Sequence, residues 1–133
     1  MKTSTTWKHD GVFESNQEGS GKGITIDTDK KEGPGPKSLL LSGLAGCSGI
    51  DIIEILKKQK VEFSDFSIDV ETETTDKHPK VFKDIYISYT IRTDPSNEIK
   101  VKKAIDLSLE KYCGVSAMLK KNSAIFHKLQ LIK

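Results

Sequence analysis

The sequence predicts an α+β fold, in the order three strands, helix, two strands, two helices, strand. Three observations predict it. Short β-branched segments separated by glycine turns open the chain. A long apolar segment with no strand-like alternation follows. Beyond it lie two long segments in which apolar and polar residues alternate strictly, the period of a half-buried strand.

Residues 3–8 are rich in threonine, and Asp10-Gly11 is a hairpin turn signal ahead of Val12 and Phe13. Trp7 and Phe13 face each other across that hairpin and are expected in the core. A glycine-rich turn at 19–23 precedes the short strand Ile24-Thr25-Ile26-Asp27. Gly33-Pro34-Gly35-Pro36 closes a polar loop, and Pro36 suits the first turn of a helix because its missing N–H has no partner there. From Leu39 to Ile50 that helix is apolar on nearly every face, the pattern of a buried helix. Lys57 and Lys58 supply the positive charge its C-terminus favours. Gly43, Gly46 and Gly49 either admit a second backbone at close range or let the helix break near Cys47.

Phe66, Ile68, Val70 and Thr72 then share one face of a strand, and Ile85, Ile87, Tyr89 and Ile91 share one face of the next, with Asp76-Lys77-His78-Pro79 between them. This predicts an antiparallel hairpin. Asp94 caps a helix with Pro95 at its first position; Val101, Ile105, Leu109 and Tyr112 form its apolar stripe. A short helix from Cys113 and a last strand over 125–132 complete a single predicted domain spanning 1–133.

The totals narrow the function. The chain has 133 residues, 21 basic and 19 acidic, and a net charge of +2, so no basic face is set up for nucleic acid. Arg92 is the only arginine, which leaves little for bidentate phosphate recognition. The longest uncharged run, 38–50, is too short for a bilayer, and the first residues lack a signal core. Two cysteines without such a signal predict a cytoplasmic protein with free thiols. His9, His78 and His127 are isolated, so no metal site is expected; Asp27, Asp29 and Glu32 lack the spacing of a calcium loop, and Gly23 stands where a phosphate loop needs a hydroxyl.

The cysteines carry the chemistry. Cys47 lies inside the apolar helix and Cys113 at a helix start, where the backbone dipole favours thiolate, with Lys111 nearby. Each is alternatively a small buried apolar residue. Whether the sulfurs meet is open in the sequence, since a disulfide needs Cα atoms within about 7 Å.

The segment Gly35-Pro36-Lys37-Ser38-Leu39-Leu40-Leu41-Ser42-Gly43-Leu44-Ala45-Gly46-Cys47-Ser48 resembles the first-cysteine motif of the OsmC/Ohr family, the osmotically inducible and organic hydroperoxide resistance proteins. Asp106-Leu107-Ser108-Leu109-Glu110-Lys111-Tyr112-Cys113-Gly114-Val115 resembles its second-cysteine motif. Cys47-Ser48-Gly49-Ile50-Asp51-Ile52-Ile53 and His78-Pro79-Lys80-Val81-Phe82 are closest to the YhfA-like branch. The resemblance implies antiparallel sheets wrapping central helices in an intertwined homodimer, with sites at the subunit interface. It also implies reduction of an organic hydroperoxide by Cys47, resolution by Cys113, and regeneration by a dithiol, without metal or organic cofactor.

The sequence departs from the family in one respect. Its hydroperoxide reductases use an arginine from the first strands and a glutamate after the motif's proline; here Lys37 and Ser38 follow Pro36, and no arginine precedes Arg92. Lys37, Lys8 or Lys22 could supply a positive charge instead, as a point charge rather than a flat fork. Asp51, one helical turn after Cys47, is a candidate organiser of hydrogen bonds, or a polar residue facing a cleft or solvent. Glu110 is a weaker candidate. A non-enzymatic alternative, binding a small hydrophobic ligand or sensing redox state, is compatible with the same residues.

Overall fold

The computed structural model describes residues 1–132 and divides into two compact units, the first spanning 1–40 and the second beginning at Leu41. In the first, β1 (Thr3–His9), β2 (Val12–Gln17) and β3 (Ile24–Asp27) form an antiparallel sheet in that order. Asp10 turns the first hairpin with φ of 43°. Trp7 does pair with Phe13, but Trp7 is 62% exposed and Phe13 is also exposed, so the expected core placement fails. Asp27 ends β3 and accepts backbone N–H groups from Asp29, Lys31 and Glu32 at 2.9, 3.1 and 2.9 Å. Those bonds, Glu32's foremost, hold its carboxyl below the usual range. The aspartate therefore organises the polar loop after β3.

Helix α1 (Pro36–Lys58) runs unbroken from the end of the first unit into the second, so its glycines do not interrupt it. Its residues Leu44, Ser48, Ile52 and Leu56, four apart, are fully buried. The opposite face is not: Leu40, Gly43, Gly46 and Ile50 are exposed. The expectation of burial all round therefore holds for one stripe only. By length and composition α1 is also able to cross a membrane, although its longest uncharged run is not. In this fold the stripe packs into a protein core instead.

Strands β4 (Ser64–Thr74) and β5 (Phe82–Arg92) form the predicted antiparallel hairpin, and β6 (Ile125–Ile132) joins β5 in parallel. Alternation within a strand does not encode the direction of its neighbour. Ile85, Ile87, Tyr89 and Ile91 point into the core; Phe66, Ile68 and Val70 pack against it. Gly49 of α1 belongs to this contact: a Cβ there would stand 3.0 Å from Ile68 Cδ1.

After β5, Asp94 Oδ1 accepts the Ser96 N–H at 2.9 Å and starts a 3-10 turn (Pro95–Asn97) that leads into α2 (Glu98–Leu107). The helix then widens into a π-turn (Ser108–Tyr112), closed by Cys113 N–H donating to Ser108 O at 2.7 Å, before α3 (Gly114–Leu119). The wider turn holds an additional residue and rotates everything after it. Val101, Ile105 and Leu109 are buried as predicted, but Tyr112 is 54% exposed and Cys113 takes the inward position.

Candidate functional site

The site lies within the second unit and is built by α1, β5 and the π-turn. Helix α1 presents Cys47, Ser48 and Asp51 on adjoining positions. The π-turn brings Ser108 and Cys113 toward them. The Cys47 and Cys113 side chains lie close together, and both thiols are free. Cys47 is half-buried; Cys113 is 3% exposed.

Cys113 caps α3, and its Sγ accepts the Ser116 N–H at 3.3 Å. The expected thiolate does not follow. Burial pushes the Cys113 thiol up to about 11, with the Cys47 side chain and the Asp51 charge acting in the same direction and the Ser116 N–H opposing. Lys111, expected to help, instead places its ammonium 5.3 Å over the Tyr112 ring.

A file of hydroxyls stands beside the sulfurs. Ser48 Oγ and Tyr89 OH are 2.6 Å apart, Ser48 Oγ and Ser108 Oγ 3.2 Å, and Ser108 donates to Asp51 Oδ2 at 2.9 Å. Burial is also the main reason the Tyr89 phenol is pushed up to about 12. The carbonyl of Leu109, freed by the π-turn, accepts from Ser116 Oγ at 3.2 Å and Lys120 Nζ at 2.6 Å. Beyond Asp51 a cleft of about 350 Å³ opens between Ile55 and Lys58 of α1 and Leu107 and Tyr112.

Of the residues expected from sequence, Cys47, Cys113 and Asp51 come together. Glu110 is exposed on the π-turn, and Lys37 is exposed in the first turn of α1, ten residues before Cys47. Arg92, at the end of β5, donates to Asp65 at 2.7 Å. Ser48, Ser108 and Tyr89 were not singled out as site residues. Their signal is present in retrospect: each puts a hydroxyl where its helix stripe or strand face is otherwise apolar.

The profile of the OsmC-like protein family matches residues 28–128, most of the chain and both cysteines. The chain belongs to the OsmC-like family. This OsmC-like chain is 29% identical over 133 residues to Protein YhfA of Escherichia coli strain K12, covering 99% of this chain and 98% of the relative. A solved structure from Aquifex aeolicus VF5 superimposes with a TM-score of 0.83 at 30% identity, covering 99% of this chain and 97% of the other. The organic hydroperoxide resistance protein OhrB of Bacillus subtilis shares the fold, with a TM-score of 0.65, 17% identity and 98% coverage of both chains. The OsmC-like order of strands and helices is the one predicted.

Proposed function

We propose that this OsmC-like protein reduces organic hydroperoxides through Cys47 and Cys113. The closeness of two thiols so distant in sequence is the observation that carries the reading. Cys47 sulfur attacks the O–O bond: an S–O bond forms, the O–O bond breaks, and the departing alkoxide takes a proton to become an alcohol. Cys113 sulfur then attacks the Cys47 sulfenic acid. An S–S bond forms, the S–O bond breaks, and hydroxide leaves with the Cys113 proton as water. A dithiol reductant returns both thiols by exchange and leaves as its own disulfide.

A homodimer belongs to this reading. The uncovered face of α1, with Leu40, Gly43, Gly46 and Ile50, supports it: a second copy would cover an apolar surface whose glycines permit close approach. The protein so described works in the cytoplasm, without a resident metal or organic cofactor.

The decisive experiment counts thiols on reduced protein before and after one equivalent of an aryl hydroperoxide. Both thiols should vanish and return with dithiol. Cys113→Ser should stop at a sulfenic acid that a dimedone probe traps. Cys47→Ser should consume no peroxide, and turnover at the parent rate would end the proposal.

One departure favours a second reading. The family's arginine–glutamate pair has no counterpart after Pro36 or in the first strands. Loss of a charged hydrogen bond costs about 2–3 kcal/mol, or tens- to hundred-fold in rate. In the second reading the chain binds a small hydrophobic ligand or senses redox state; thiols inert to the hydroperoxide, with a ligand co-purifying, would select it.

A further inference from the structure

Ser108 holds both cysteine segments at once. It is the first residue of the π-turn and is fully buried. Its hydroxyl donates to Asp51 Oδ2 at 2.9 Å and lies 3.2 Å from Ser48 Oγ and 3.4 Å from the Ser48 carbonyl oxygen. All three oxygens belong to α1, and Ser48 is the residue next to Cys47. The Ser108 carbonyl accepts the Cys113 N–H at 2.7 Å. One residue therefore links the neighbour of Cys47, through its side chain, to the backbone of Cys113. Ser48 is fixed from a further side, since Tyr89 OH of β5 stands 2.6 Å from its Oγ.

We propose that Ser108 is a positioning residue: its hydroxyl seats the π-turn on α1, and its carbonyl presents Cys113 to Cys47 for disulfide formation.

A disulfide forms only where two Cα atoms come within about 7 Å with their Cβ atoms suitably directed. Cys47 and Cys113 stand on separate elements, so no local rule fixes their separation. An apolar residue at 108 would fill the same buried position without selecting a seat along α1. A hydrogen bond has a short range and a preferred angle, so a buried hydroxyl among three oxygens does select one. The π-turn makes that selection matter, because its wide ring sets the direction of Cys113. Ser116 N–H donates to Cys113 Sγ at 3.3 Å, and Ser116 Oγ donates to Leu109 O at 3.2 Å. Those two bonds stay within the segment. Among the described residues, the side-chain hydrogen bonds that join it to α1 are those of Ser108.

This inference rests on reading Cys47 and Cys113 as a redox pair, but its test uses no peroxide. Reduced full-length protein is equilibrated with glutathione and glutathione disulfide in graded ratio, quenched with acid and read by mass spectrometry. Each Cys47–Cys113 disulfide formed converts one glutathione disulfide into two glutathione thiols. The midpoint therefore gives the effective concentration of one cysteine at the other. In the unmutated protein it should exceed the roughly millimolar value of a flexible tether by at least about tenfold. Ser108→Ala should lower it by about fivefold or more, the weight of one net hydrogen bond. Ser108→Thr, which keeps the hydroxyl, should restore part of it. The quantity compares two folded states, so a loss of packing common to both cancels. Ile91→Val, a buried change on β5, should lower the urea midpoint yet leave the effective concentration within about twofold. Far-ultraviolet circular dichroism monitors folding. If Ser108→Ala does not fold, Asp51→Ala takes its place, because it removes the nearest acceptor of the Ser108 hydroxyl, and it should lower the value in the same direction. A tether-like value in the unmutated protein overturns the proposal. So does an unchanged value in the folded variant, or an equal fall in Ile91→Val. A protein inert to hydroperoxide but passing this assay would refute only the peroxidase reading. An active peroxidase failing it would refute only the role of Ser108.

Discussion

At Cys113 two effects oppose each other. The Ser116 N–H at the start of α3 favours an anion on sulfur, and burial disfavours it. A helix terminus contributes roughly 0.3–1 kcal/mol, and α3 is short. Removing the thiolate from water costs more, and the thiol rises to about 11 from an ordinary value near 9. Between those values the unfolded chain has lost a proton that the folded chain retains. The unfolded state binds fewer protons there, so stability falls as pH rises from about 9 to 11. Urea midpoints measured from pH 8 to 11 should show that decline, and Cys113→Ala should flatten it. Tyr89, pushed up to about 12, adds a later decline with the same sign. Tyr89→Phe keeps the ring, which stacks against Phe66 with centroids 6.5 Å apart, and removes only the bond to Ser48. It should cost about 1–2 kcal/mol in denaturant unfolding at pH 7, the price of a buried hydrogen bond.

Among the elements, α1 carries two different faces. Its Leu44, Ser48, Ile52 and Leu56 stripe meets the core, and Gly49 lets it approach Ile68. Gly49→Val would drive branched carbons into that contact and should destabilise by about 1–3 kcal/mol, measured by thermal or urea unfolding. Gly43 faces open space in one copy of the chain. Gly43→Ala should therefore gain roughly 0.5–1 kcal/mol of helix propensity unless a second copy packs there. The π-turn shows the reverse relation between pattern and structure. A regular helical period puts Tyr112 inside, and one wide turn puts Cys113 there instead. Hydrogen bonds at Leu109 O from Ser116 and Lys120 satisfy the carbonyl that this widening releases.

For the whole molecule, the exposed side of α1 is the surface over which the proposed dimer would close. Ile50, 61% exposed, is an apolar residue on that side. Ile50→Glu should change the stability of an isolated chain by no more than about 0.5 kcal/mol, as for an ordinary surface site. In a dimer closed over α1 it buries an unpaired charge, and light scattering across a concentration series should then show dissociation to monomer. A dimer of unchanged strength would place the interface elsewhere.

Much of the fold was legible because local rules act alone in its elements. The alternation of Ile85, Ile87, Tyr89 and Ile91, the Asp94-Pro95 start and the Asp10-Gly11 turn each specify their own segment. The family and the two cysteines were legible for a different reason: their motifs are contiguous runs of sequence. Direction of pairing, solvent exposure and long-range side-chain hydrogen bonding are not local. The parallel arrival of β6, the outward turn of Trp7 and Tyr112, and the file from Tyr89 through Ser48 and Ser108 to Asp51 depend on residues remote along the chain. Sequence alone therefore determined most of the elements and the family motifs in which the two cysteines lie. Only the tertiary structure decided that those sulfurs lie close together and that burial favours the neutral Cys113 thiol, because proximity and desolvation are set by neighbours in space.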